Sequence, residues 1–116
     1  MKDWTTIRER YLRDNLPARL GGLAANLSRI NSFTAREISC AAVESMIDES
    51  KFFIEWTAPE AEAHVAEALV KLQIQLALWH RSWPRIWSDP SQRSQVAEQS
   101  KAWSQQVLEM SGLLKQ

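Results

Sequence analysis

Between Glu55 and Trp87 the sequence EWTAPEAEAHVAEALVKLQIQLALWHRSWPRIW sets Val65, Leu69, Leu72, Leu76, Trp79 and Trp83 at alternate spacings of four and three. That alternation puts all six side chains on one stripe of an α-helix and is incompatible with the two-residue period of a strand. A helix with a single apolar stripe must bury it against other helices, so this stretch commits the chain to a helix-on-helix core. The stretch reads as one long amphipathic helix. Thr57 and Glu60 have the spacing of a capping box, Pro59 suits a first turn, and Pro84 forces an end near Ser82 or Trp83.

The same spacing recurs elsewhere. Leu16, Leu20, Leu23, Leu27 and Ile30 form a second seam, expected to end at Asn31 and Ser32, with Gly21 and Gly22 inviting close approach by a neighbouring helix. Before it, Trp4, Ile7, Tyr11 and Leu12 make a short amphipathic helix with arginines on its outer face. Pro17 either kinks this segment or divides it in two, with Asp14 or Asn15 as the cap of the second piece. A further helix is expected to start at a Thr34 to Glu37 capping box flanked by Phe33 and Ile38 as a hydrophobic staple. It carries Ile38, Ala42, Val43, Met46, Ile47, Phe53 and Ile54 inward, with Phe52 pointing away. After a link over Pro84 to Ser88, Asp89 and Pro90 open a last helix along Val96, Ser100, Trp103, Val107, Met110 and Leu114, closed by Gly112. The expected fold is all-α: an antiparallel up-down four-helix bundle with an additional short N-terminal helix or a kinked first helix, in one domain over residues 1–116.

Charge is balanced, 14 basic against 14 acidic side chains, so there is no net field to draw a polyanion or an anionic membrane. Its distribution is uneven: residues 37–67 hold one basic and eight acidic groups, between two stretches with a basic excess. Ion pairing between neighbouring helices accounts for such blocks, and so does an acidic face offered to a basic partner or a second copy. One cysteine, Cys40, excludes an internal disulfide and fits a reducing, cytoplasmic setting. No signal peptide and no apolar run long enough for a membrane span is visible.

Chemical motifs are missing. A di-metal bundle needs Glu-x-x-His pairs, and neither His64 nor His80 has a carboxylate three residues before it. No serine sits in a Gly-x-Ser-x-Gly turn, and three glycines are too few for a phosphate-cradling loop. The chain is therefore read as non-enzymatic, with no cofactor, no metal and no nucleic-acid partner, although Trp79, His80, Arg81, Trp83, Arg85 and Trp87 have the composition of a base-stacking surface.

The segments LPARLGGLAANLSRI and FIEWTAPEAEAHVAEALVKLQIQLALW resemble small cyanobacterial all-helical proteins of unknown function. The resemblance implies a bacterial cytoplasmic protein and carries over no site residue.

What remains is an interaction protein, self-associating or binding a protein partner through aromatic and acidic surfaces. Its candidate contact residues are Phe52, Trp56, His80, Arg81, Trp83, Arg85 and Trp87, Trp and Arg being frequent interface anchors. The alternatives for the tryptophans are core closure by Trp79 and Trp83 against Trp103 and Trp56, or a Trp-lined pocket for a flat small molecule or pigment.

Overall fold

Asp3 opens the first helix by accepting from the Thr6 amide, and Asn15 opens the second by accepting from the Ala18 amide, with Pro17 in the first turn. Pro17 thus stands inside the start of a new helix, so the first segment is two helices: α1 (Trp4–Leu12) and α2 (Leu16–Ala35). The computed structural model describes residues 2–114, and in them the chain is all-α, continuing through α3 (Cys40–Thr57), a 3-10 turn (Ala58–Glu60), α4 (Ala63–Arg81), α5 (Trp83–Trp87) and α6 (Pro90–Ser111).

Both Thr-x-x-Glu capping boxes are corrected. α2 runs past Asn31 and Ser32, and Thr34 lies in its last turn with its hydroxyl buried and without a hydrogen-bond partner among the described residues. Glu37 adopts a left-handed φ of 52°. Its amide bonds the Thr34 carbonyl, and the Ile38 amide bonds the Phe33 carbonyl at 3.0 Å. These two bonds make a Schellman ending, so Phe33 and Ile38 are the paired positions of a helix C-terminus rather than of an N-terminal staple. α3 starts later, capped by Ser39, whose Oγ accepts from the Ala42 amide at 3.1 Å.

The Thr57 to Glu60 box fails for a different reason. Glu55, Trp56 and Thr57 complete α3, and Thr57 and Glu60 spend their side chains on Tyr11 and Arg19 respectively. The expected single helix from Glu55 is therefore the end of one helix, a turn at Pro59 and then α4. By contrast Asp89 caps α6 as expected, accepting from the Ser91 and Gln92 amides, and Gly112 ends it at φ 79°.

The seams behave as the periodicity requires. Leu20, Leu23, Leu27 and Ile30 of α2, Val65, Leu69, Leu72, Leu76 and Trp79 of α4, Trp83 of α5, and Val96 and Val107 of α6 join Val43, Ile47, Phe53 and Ile54 of α3 in one buried cluster. Two residues expected inward are exceptions: Leu114, beyond Gly112, is 64% exposed, and Ile38, displaced into the turn after α2, is 51% exposed.

Long-range polar bonds set how neighbouring helices meet along this core. Between α2 and α6, Ser104 Oγ donates to the Ala24 carbonyl at 2.7 Å and Asn31 Nδ2 to the Ala97 carbonyl at 2.6 Å. Between α2 and α3, Asn26 Nδ2 donates to Ser50 Oγ at 3.1 Å; between α3 and α4, Gln73 Nε2 donates to the Lys51 carbonyl at 3.1 Å. Each long-range bond ties a buried or half-buried polar group, which satisfies it and fixes helix register. The backbones of α4 and α6 stay apart, bridged by Trp79 and Trp103 with ring centroids 5.0 Å apart.

Candidate functional site

The sequence-derived contact residues do not form one site. Phe52 and Trp56 lie near one end of α3, while His80, Arg81, Trp83, Arg85 and Trp87 lie towards the other, where α4 passes into α5.

At the first end, Trp4 of α1 covers Phe52 with ring centroids 4.3 Å apart, and Trp56 lies tilted against Phe52 at 5.7 Å and edge-on to Trp4 at 6.4 Å. Phe52 does point away from the main core, but Trp4 half-buries it. Trp56 rests on Tyr11 and Phe53 and, among the described residues, makes no ring pair with Trp79 or Trp103, so it takes no part in closing the tryptophan end. Lys2 holds the rim, bonded to Glu49 at 3.3 Å and placed 5.2 Å over the Trp4 ring. This is a half-exposed aromatic patch beside acidic residues of α3.

At the other end, Trp83 is completely buried and its Nε1 donates to the Cys40 carbonyl at 2.9 Å. Trp83 thus belongs to the core and offers no accessible surface, a correction that follows from α5: by turning immediately at Pro84, the chain tucks Trp83 under α3. Ile86 is buried with it. Trp87 is half-buried against the Trp83 ring at 5.9 Å, and the Arg93 guanidinium lies over the Trp87 ring at 5.9 Å. Arg93 also donates to the Trp87 carbonyl and pairs with Glu37, so one guanidinium fastens α6 to the ends of α5 and α2. Nothing in the local sequence around Arg93 marks this role, since both partners are remote in sequence or lie across a helix start.

His80 sits in a charged cluster between α3 and α4. Lys51 Nζ lies 2.9 Å from its Nδ1, while Glu44 and Asp48 carboxylates approach its two nitrogens at 3.6 and 3.7 Å. An ammonium group only donates, so in the contact with Lys51 the ring nitrogen Nδ1 is the acceptor, while Nε2 faces Glu44. Arg81 and Arg85 are exposed.

The lone thiol is poorly suited to reaction. Burial, with a smaller contribution from Glu44, pushes the Cys40 pKa up, which favours the unreactive thiol over the thiolate. Among the described residues no group of three His, Cys, Asp or Glu is placed to hold a metal ion, and no helix is long and apolar enough to cross a membrane.

Comparisons with models of known families, with curated proteins and with solved structures return no match.

A surface hollow that carries the Trp103 side chain lies where α4 and α6 diverge. It is about 490 Å³ and is lined by His64, Leu72, Gln75, Trp103, Val107 and Met110, among others. Sequence reasoning singled out the tryptophans but could not place this groove, because its existence depends on how far two helices separate.

Proposed function

We propose that this chain is a non-enzymatic helical interaction protein, cytoplasmic, which self-associates or binds a protein partner through aromatic and acidic surfaces. The scaffold is read as an antiparallel up-down four-helix bundle of α2, α3, α4 and α6, with α1 and α5 as added pieces. The observation that carries the reading is the patch of Trp4, Phe52 and Trp56, half-exposed beside the carboxylates of α3. Aromatic groups with one face packed and one face wet lose little conformational entropy on binding and supply large contact area. Purification and sedimentation of the wild type beside Phe52→Ala and Trp87→Ala variants test this. Loss of a self-associated or co-purified species supports it; a strictly monomeric wild type whose variants retain every co-purifying protein removes it.

A second reading is favoured by the α4 to α6 groove: a bundle that binds a flat small molecule or pigment against Trp103. Its volume falls within the range of small-molecule sites. Quenching of tryptophan fluorescence by a panel of apolar ligands, lost in Trp103→Phe, supports that reading, and an unresponsive wild type excludes it.

A further inference from the structure

Three of the six large exposed apolar side chains among the described residues, Val70, Ile74 and Leu78, lie on α4, so the outer surface of this helix differs from the others. At 3.6 residues per turn, Glu67, Val70, Ile74, Leu78 and Arg81 fall within about 40° of the direction of Ile74, and the buried seam from Val65 to Trp79 lies roughly opposite. α4 is therefore apolar on two faces, one packed in the core and one facing outward. A surface helix with a single partner needs only the first.

The outward stripe is symmetric about Ile74. Four residues away in each direction stands an aliphatic side chain, Val70 or Leu78; seven residues away stands a charge, Glu67 on one side and Arg81 on the other. We infer that this stripe is the contact surface for a second copy of the chain, with the two α4 helices antiparallel across a twofold axis at Ile74. This deepens the self-association half of the reading above and rests on it. In that arrangement Ile74 meets its own equivalent, Val70 meets the second copy's Leu78, and Glu67 meets the second copy's Arg81, each of the last two pairs occurring twice. A parallel pairing would set Glu67 against Glu67 and Arg81 against Arg81, so charge selects the antiparallel form.

The groups are free to rearrange. Arg81 has no ion-pair partner among the described residues, and Glu67 holds only an exposed pair with Lys71 at 3.3 Å, both side chains at least 70% exposed, which is worth little. Beside the ridge, on the α3 side, a hollow of about 320 Å³ gives concave surface for the opposing side chains, with Phe52, Ile74 and Ala77 as its apolar lining and Asp48, Lys51 and Glu55 on its α3 side. A stripe of five residues is small beside a standard interface of about 800 Å² per partner, so the dimer is a weak one whose formation depends on concentration.

Sedimentation of the full chain from low to high micromolar concentration is the experiment, with circular dichroism to confirm helix content. The wild type is expected to dimerise with concentration, and Ile74→Asp to raise the dissociation constant at least about thirtyfold, as loss of a central anchor does. Glu67→Arg and Arg81→Glu are each expected to weaken the dimer, and the two combined to restore it. All these positions are exposed, so the charge variants remain informative should Ile74→Asp fail to fold. A wild type monomeric throughout, a folded Ile74→Asp chain that dimerises unchanged, or a double reversal that fails to restore association overturns the inference. A dimer that ignores α4 but is lost in Phe52→Ala leaves the broader interaction reading standing and removes only this surface.

Discussion

The Tyr11 hydroxyl lies 3.0 Å from Thr57 Oγ1 and donates to the Arg19 carbonyl at 2.8 Å, so one buried phenol joins α1, the first turn of α2 and the end of α3. The Thr57 hydroxyl is then the donor to Tyr11. Tyr11→Phe leaves the buried Thr57 hydroxyl short of its partner and is expected to cost about 1–3 kcal/mol, measured by urea denaturation. The same contact predicts a pH dependence. Burial, opposed in part by the Thr57 bond and Arg19, raises the Tyr11 pKa from 10.0 to about 12. In the unfolded chain the phenol ionises first, so the folded state holds more protons in this window. Stability is fully present below pH 10.0 and falls as pH rises towards about 12. Tyr11 is the only tyrosine, so tyrosinate absorbance reports this group alone and should appear together with unfolding.

Trp83 fills the space beneath α3 with its indole nitrogen bonded to the Cys40 carbonyl. Trp83→Phe removes that bond and leaves a void, an expected loss of about 2–3 kcal/mol. A thermal melt should show the midpoint lowered by roughly 10 °C.

Glu37 holds a left-handed conformation that costs a side-chain-bearing residue about 1–2 kcal/mol, while its carboxylate pairs with Arg93. The two effects oppose each other in a single substitution. In an Arg93→Gln background, where the pair is already gone, Glu37→Gly is expected to raise stability by about 1 kcal/mol; in the wild type the gain should be smaller. Denaturant midpoints of the four variants form the cycle that separates strain from ion pairing.

Gly21 sits within α2, and a Cβ built there would stand 2.7 Å from Leu113 Cδ1. That atom is the far end of a flexible side chain that is itself 52% exposed, so it can swing into solvent. Helix propensity then decides the sign, and Gly21→Ala is expected to stabilise by about 0.5–1 kcal/mol in chemical denaturation. A loss would mean that Leu113 is held more firmly than its exposure implies.

The two Thr-x-x-Glu sequences show where sequence reading failed. The pattern at Thr57 to Glu60 needs only two residues and their spacing, and a helix interior followed by a turn satisfies it equally well. What decided the outcome was remote in the chain: Tyr11 took the threonine hydroxyl and Arg19 took the glutamate. Asp89 to Gln92 carries a similar signal and caps its helix, because Pro90 immediately after Asp89 enforces a start locally. Among the candidate contact residues, Arg81 and Arg85 are exposed, whereas Trp83 is sealed and His80 is engaged with Lys51. Residue type alone cannot separate these cases, since a tryptophan suits a core and an interface alike. The outward stripe of α4 is masked in the sequence by the stronger apolar seam on the opposite face, which accounts for the helix by itself.

The sequence by itself determined that this chain is helical and which faces turn inward. The four-three spacing of Leu16 to Ile30, of Val65 to Trp83 and of Val96 to Val107 is a property of neighbours along the chain, and only helix packing buries it. Tertiary structure alone decided where α2 and α3 end, that Trp83 lies under Cys40, that Arg93 ties Trp87 to Glu37, and that α4 and α6 diverge. Those outcomes depend on which distant groups meet, and a hydroxyl, an indole or a guanidinium can be satisfied by many partners until packing leaves it one.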